Sequence, residues 1–248
     1  MKIHLLLKKE EIDPEKMQEK VTVVFDVLLA TSTITAALAF GAKEVVPVLN
    51  GSDAQKEASG RADGSYVLVG EYEGATIEGF LAPNPLDLKE KVLGKSVILS
   101  TTNGTVALKN SFPAKIIYAV SLLNSKTVAE DIRKRFSNET IVLVCAGSSG
   151  EFNIEDFYGA GYFIECLMAN VKEEIDLTDA ANAAFHFYKG NMQKGPELLK
   201  VSRIGRMLIS RGFEREVDFV ASSNLFQVIP KLADNGRIIN HQHLEIKK

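Results

Sequence analysis

Apolar positions along this chain gather into short, nearly unbroken β-branched runs separated by polar, helix-compatible segments. "IHLLL", "VTVVFDV", "EVVPVL", "SYVLVGE", "SVILST", "KIIYAV" and "TIVLVCAG" follow one another in that order. Strands apolar at consecutive positions are buried on both faces, so the pattern predicts an α/β fold in which a parallel or mostly parallel sheet is layered with helices. From Ile154 onward the spacing changes to longer amphipathic stretches, including "EDFYGAGYFIECLMANV" and "LTDAANAAFHFYKGNM", with a late strand expected near "GRIINHQHLEI". The carboxy-terminal third is therefore expected to be rich in helix. No repeat, low-complexity tract or Pro/Ser-rich linker interrupts the chain, which reads as one domain with room for two α/β lobes.

Composition narrows the partners. With 248 residues and 46% of them hydrophobic, the chain can bury a core without disulfides or metals as staples. The net charge is −3 and the two signs are interleaved, which leaves no footprint for nucleic acid or an anionic membrane. Any polyanion is then handled in a local pocket. Cys145 and Cys166 stand far apart, outside any C-x-x-C spacing, so neither a disulfide framework nor a zinc site is indicated. The opening "MKIHLLLKKEEIDPEK" is too briefly apolar for a signal peptide, and no later run approaches the roughly 20 apolar residues of a membrane span. A cytoplasmic protein is expected.

In open α/β sheets ligands gather beyond the carboxyl ends of the strands, so the polar residues just past each apolar run carry the candidate chemistry. Asp26 closes the second run. An ionised carboxylate after so apolar a strand needs compensation, from helix-start amides around Thr31 and Ser32 or from a bound cation. Glu71 closes the fourth run, in "GEYEG", and is either a solvated turn residue or a second ligand; two carboxylates with water and phosphate oxygens are a common setting for Mg²⁺. The fifth run ends in "STTNGT". Thr101, Thr102 and Thr105 offer hydroxyls, Asn103 an amide and Gly104 a tight turn ahead of a helix, which suits either a phosphate cradle or a plain helix cap. The seventh run ends at Cys145 and leads through "AGSSGEFNIEDF", where Asn153 is a candidate cap. Glu155 and Asp156 there favour a helix start in any case, and can also supply a third ligand or a water-positioning base.

Several schemes are excluded. Cys145 lacks the nearby downstream arginine of a phosphocysteine loop, and Leu28 stands where a phospho-aspartyl mechanism of the dehalogenase type needs a second Asp. There is no G-x-x-x-x-G-K-[ST] loop and no G-x-S-x-G elbow. His4, His186, His241 and His243 fall outside the strand-end loops, and "HQH" reads as a solvated tail.

The set "VVFDVLLATSTITAAL", "GEYEGATIEGF", "LSTTNGTVAL" and "CAGSSGEFNIEDFYGAG", continued by "SRIGRMLISRGFEREVDF" and "VIPKL", resembles the 2-phosphosulfolactate phosphatase (ComB-like) family over nearly the whole chain. The resemblance implies one domain over residues 1–248, a two-lobed α/β architecture and a Mg²⁺-dependent phosphatase that converts 2-phospho-3-sulfolactate to 3-sulfolactate and phosphate. The family pattern usually carries Arg at the position of Leu29, another Arg near Tyr72, and Asn-Ser-Pro where this chain has Asn84-Pro85. Arg61, Arg203 and Arg206 are the candidates to replace those guanidinium groups. On the combined reading Asp26 and Glu71 hold Mg²⁺, Asp156 acts with them, and Thr101, Thr102, Asn103, Gly104 and Thr105 hold the phosphoryl group. The expected partner is a small phosphorylated acid, with a homo-oligomer left open. A phosphatase for another phosphorylated hydroxy acid and a non-catalytic binder of small phosphorylated or sulfonated acids are the alternatives.

Overall fold

The long strands place β-branched side chains on both faces, and both faces are covered. The computed structural model describes residues 1–169 and 175–242. Its strands are β1 (Lys2–Leu6), β2 (Val21–Phe25), β3 (Glu44–Val48), β4 (Tyr66–Tyr72), β5 (Ala75–Thr76), β6 (Ser96–Ser100), β7 (Ile116–Val120), β8 (Thr140–Cys145), β9 (Asp176–Leu177), β10 (Pro230–Leu232) and β11 (Ile238–Asn240). Its helices are α1 (Pro14–Met17), α2 (Ala30–Ala39), α3 (Gly51–Ser59), α4 (Gly104–Asn110), α5 (Ser125–Arg135), α6 (Ile154–Met168), α7 (Asp179–Gly190), α8 (Gly195–Val201), α9 (Arg203–Ser210) and α10 (Glu214–Val220). All seven expected strands form, and the change to helix begins with α6. The expected late strand is β11, shorter than its sequence run. Asn170 and Val171, at the end of one expected helical stretch, and His243 lie outside the described residues.

The strands make one sheet in the order β5-β4-β6-β3-β11-β10-β7-β2-β8-β1-β9. It is built from two parallel blocks. In one, β6 lies between β3 and β4, with Val97 opposite both Val45 and Val67. In the other, β2 lies between β7 and β8, with Val23 opposite Tyr118 and Leu143, and β8 continues to β1. The β10–β11 hairpin joins them through antiparallel pairings to β7 and β3. That hairpin reverses the strand direction from one block to the other. Five neighbour steps separate β2 from β6, and at roughly 20–25° of twist per step the blocks are rotated through more than a right angle. Carboxyl ends that a flat sheet would hold at opposite edges are thereby brought together.

Three apolar clusters follow this geometry. On one face of the second block, Ile3, Val23, Phe25, Tyr118 and Leu143 pack under α5 to α10, with Phe163 and Leu199 among the partners. The opposite face joins Val24, Ile117 and Val144 to Val45, Val69 and Leu99 of the other block, around Ile34 and Leu38 of α2 and Ala107 and Leu108 of α4. A third cluster, Val46, Val48 and Ile98 with Ala54 and Ala58 of α3, covers the outer face of β3 and β6. The sheet thus wraps around α2 and α4. Those are the two helices that start directly after Asp26 and after the "STTNGT" loop, so their amino ends meet at one place. Among the described residues no helix is long and apolar enough to cross a membrane.

Candidate active site

A cavity of about 430 Å³ opens where the two helix starts meet. Asp26, Leu29 and Ala30 from the end of β2 form part of its wall, Glu71, Glu73 and Gly74 come from the β4–β5 hairpin, and Thr101, Thr102 and Asn103 from the end of β6. Ser148 and Ser149 follow β8, while Arg203, Met207 and Arg211 come from α9 and the residue after it. His4, His186 and His241 do not line it.

Asp26 is 7% exposed. Its backbone is locked to Thr31, whose hydroxyl accepts from the Asp26 N–H at 3.1 Å and donates to the Asp26 carbonyl at 2.9 Å. The carboxylate accepts from the N–H of Ala30 at 3.4 Å and from the Gly104 N–H. Burial, and then the facing charge of Glu71, push its pKa up to about 7. Gly104 is needed here for space. A Cβ would lie 2.6 Å from Asp26 Oδ2 and 2.4 Å from the Ala30 Cβ, so any larger residue drives a wedge between the two loops.

Glu71 is held from three sides. Its Oε1 accepts from the Thr102 N–H at 2.7 Å, and its Oε2 from the Gly74 N–H at 2.6 Å and the Thr102 hydroxyl at 3.2 Å. The same Thr102 hydroxyl accepts from the Glu73 N–H at 2.9 Å. Thr101 and Thr105 answer each other: the Thr105 N–H donates to Thr101 Oγ1 at 3.1 Å, and Thr105 Oγ1 donates to the Thr101 carbonyl at 2.8 Å. The loop therefore engages its hydroxyls within the protein. The loop expected to hold a phosphoryl group thus also restrains two carboxylates, Glu71 through Thr102 and Asp26 through the Gly104 N–H. Asn103 differs from its neighbours. Its Oδ1 accepts from Lys9 Nζ at 2.9 Å, which turns its Nδ2 donors away from Lys9, and the residue lines the cavity.

Asp156 is buried behind the wall rather than in it. Its oxygens accept from the Val27 N–H at 2.8 Å and the Gly147 N–H at 3.2 Å, tying the end of β2 to the loop after β8. Burial, with Asp26 next, drives its pKa well up. Glu155 is 1% exposed, its Oε1 has no hydrogen-bond partner, and burial raises its pKa against the opposing charge of Arg203. Asn153 precedes α6 but does not cap it with its side chain; its Oδ1 accepts from Arg203 at 3.3 Å. Cys145 is fully buried, and burial followed by Asp156 holds its thiol well above its ordinary range, as expected for a structural cysteine.

The candidate arginines separate. Arg61 belongs to an ion network with Glu44 at 3.0 Å and Glu57 at 2.6 Å, at the amino ends of β3 and β6 and away from the cavity. Arg206 donates to the Val201 carbonyl and is absent from the cavity wall. Arg203 does line the cavity, and so does Arg211, which sequence reasoning missed. Helical spacing was the available signal, because positions 203, 207 and 211 share one face of a helix. Leu29 lines the cavity as an apolar side chain, Asn84 lines it as well, and Tyr72 is 66% exposed. Lys9 was also missed, although the strand-end rule applied to β1 points to it.

Among the described residues no group of three or more His, Cys, Asp or Glu side chains is arranged to hold a metal ion. Two carboxylates nevertheless fit Mg²⁺, which keeps several waters and takes further oxygens from substrate phosphate.

A family model described as 2-phosphosulpholactate phosphatase matches residues 6–235 of the chain. Among similar proteins, one from Clostridium acetobutylicum is 38% identical over 96% of this chain and 100% of its own length. One from Carboxydothermus hydrogenoformans is 38% identical over 96% and 97%, and one from Thermotoga petrophila is 40% identical over 89% and 92%. Each bears the name "Probable 2-phosphosulfolactate phosphatase".

Proposed function

Because the chain belongs to the 2-phosphosulfolactate phosphatase family, we propose that it is a phosphoric monoester hydrolase that releases phosphate from 2-phospho-3-sulfolactate with Mg²⁺ held between Asp26 and Glu71. The observation that carries this reading is the pair itself: two carboxylates from different strand ends face one cavity, near enough for the charge of Glu71 to raise the Asp26 pKa. A divalent cation there would neutralise the phosphoryl oxygens and acidify a water. The protein's own groups do the positioning. Thr102 and Gly74 fix both oxygens of Glu71, while Ala30 and Gly104 hold the Asp26 carboxylate. Asn103, oriented by Lys9, offers its Nδ2 donors to the phosphoryl oxygens. Asp156 keeps the ends of β2 and β8 in register behind the site. These restraints act before substrate arrives, which is how a site lowers the reorganisation that accompanies charge development.

The test is release of inorganic phosphate from synthetic 2-phospho-3-sulfolactate by the purified chain, in Mg²⁺, in excess EDTA, and after Mg²⁺ is restored. Release that stops in EDTA and returns with Mg²⁺ is expected. Undiminished release in EDTA removes the metal from the proposal, and no release under any condition removes the phosphatase.

A further inference from the structure

Arg61 pairs with Glu44 and Glu57, Arg135 with Asp131 and Arg237 with Glu44, while Arg206, outside the cavity wall, donates to the Val201 carbonyl. Two arginines line the cavity, Arg203 and Arg211. Neither forms a salt bridge among the described residues, and Arg203 feels the charge of the buried Glu155, whose pKa burial raises. Their hydrogen bonds go to neutral oxygens instead. Arg203 Nη2 donates to the Ser148 carbonyl at 3.0 Å and to Asn153 Oδ1 at 3.3 Å, and Arg211 Nη1 donates to the Gly74 carbonyl. A guanidinium has five N–H donors, so each keeps donors without a protein partner among the described residues.

Their placement is more telling than their number. Eight residues separate them, about 12 Å along a helix, and both line the cavity that Asp26 and Glu71 also line. Arg203 is anchored at the Ser148 end, Arg211 at the Gly74 end. Between them the wall is Ile204, Met207 and Leu208, an apolar floor for a short carbon skeleton. An anion near Asp26 and Glu71 is repelled unless a cation intervenes, whereas an anion against α9 meets two fixed positive charges.

We propose that Arg203 and Arg211 are the specificity-determining residues of this site: they bind the acidic groups that the substrate carries besides its phosphate, one guanidinium toward the carboxylate and one toward the sulfonate. The proposal rests on the phosphatase reading above and adds the residues that recognise the two acidic groups the substrate carries beside its phosphate. Arginine suits the task because its planar fork meets a carboxylate or sulfonate through two parallel hydrogen bonds, which lysine cannot reproduce.

Three substrates of rising charge separate this from a structural role: p-nitrophenyl phosphate, 2-phospholactate and 2-phospho-3-sulfolactate. Arg203→Gln and Arg211→Gln should each lower the ratio of kcat/KM for 2-phospho-3-sulfolactate to kcat/KM for p-nitrophenyl phosphate by at least tenfold, chiefly through KM, with Arg→Lys at each position recovering part of it. The variant whose partner is the sulfonate should lose discrimination between 2-phosphosulfolactate and 2-phospholactate, and the other should keep it. Arg206→Gln, outside the cavity, serves as the control and should leave all ratios unchanged. An equal proportional loss on all three substrates would overturn the proposal. Calorimetric binding of 3-sulfolactate, which has no phosphate, supplies the second measurement. If the wild type turns over no phosphomonoester yet binds 3-sulfolactate, and the Gln variants weaken that binding tenfold or more, the phosphatase reading fails and the arginine subsite stands. Unweakened binding in both variants removes the subsite.

Discussion

Thr101 and Thr102 are neighbours of the same general type with different duties, which sequence composition does not reveal. A Thr beside a helix start can donate to a ligand or cap the helix, and only the distance to each acceptor decides. Thr101 accepts from the Thr105 N–H, so Thr101→Val should cost about 1 kcal/mol of stability, the usual price of a lost cap, with kcat within about threefold of wild type. Urea denaturation and turnover on the same preparation check this; a large fall in kcat at unchanged stability would return the hydroxyl to the substrate. Thr102 holds Glu71 and the Glu73 N–H together. Thr102→Val should therefore raise the Mg²⁺ concentration giving half-maximal activity by about tenfold, since losing a hydrogen bond to a charged group is worth roughly 1.5–3 kcal/mol. An unchanged Mg²⁺ titration would show that Glu71 needs no such restraint. Gly104 was legible as a special position, but for another reason: the site requires the approach of Asp26, not a positive φ.

At the scale of elements, the long strands were legible because five or six consecutive apolar residues buried on both faces leave a mark that no helix of that length shares. β5, β9 and β10 were not, since two or three residues carry no periodicity. The reversal between the two parallel blocks was equally hidden, for it depends on which strands the carboxy-terminal hairpin inserts between. The candidate carboxylates and the loop were found by the strand-end rule, whereas Arg211 lies just past a helix and escaped it. The hairpin seam has its own expected behaviour. β11 meets β3 through the single register pair Ile238 and Val45, while Arg237, about two-fifths exposed, reaches the buried Glu44 at 3.3 Å, a carboxylate that Arg61 also holds at 3.0 Å and that stays paired when Arg237 is removed. Burial of Ile238, which is fully enclosed, carries most of the join. Ile238→Ala should cost about 2–5 kcal/mol, read by urea denaturation, and Arg237→Ala less than about 1 kcal/mol. The reverse order would mean that the ion network, not apolar packing, holds the blocks together.

For the whole molecule, the consequence of gathering acids beneath one cavity is a stability that depends on proton and metal together. Burial raises the Asp26 pKa from its ordinary 3.8 to about 7 and drives that of Asp156 well up as well. A carboxyl group whose pKa is higher folded than unfolded binds its proton more tightly in the folded state. Its favourable contribution is thus fully present below the unfolded pKa, near 4, and is lost as pH rises toward the folded value. Metal-free protein should accordingly be more stable at pH 5 than at pH 8, by about 2.7 kcal/mol from Asp26 alone, because pH 5 lies two units below the folded value and each unit is worth 1.36 kcal/mol. Mg²⁺ acts in the opposite sense, because it binds the ionised pair and stabilises by mass action; its effect on the thermal midpoint should be small at pH 5 and several degrees at pH 8. Asp26→Asn removes the ionisation while keeping the shape, so it should raise the midpoint of the metal-free protein at pH 8, flatten the pH dependence and abolish the response to Mg²⁺ together with turnover. Thermal melts of both proteins in EDTA and in Mg²⁺ at the two pH values test every part of this, and a wild-type midpoint in EDTA that is unchanged between pH 5 and pH 8 would rule out Asp26 as the residue that couples the fold to the metal.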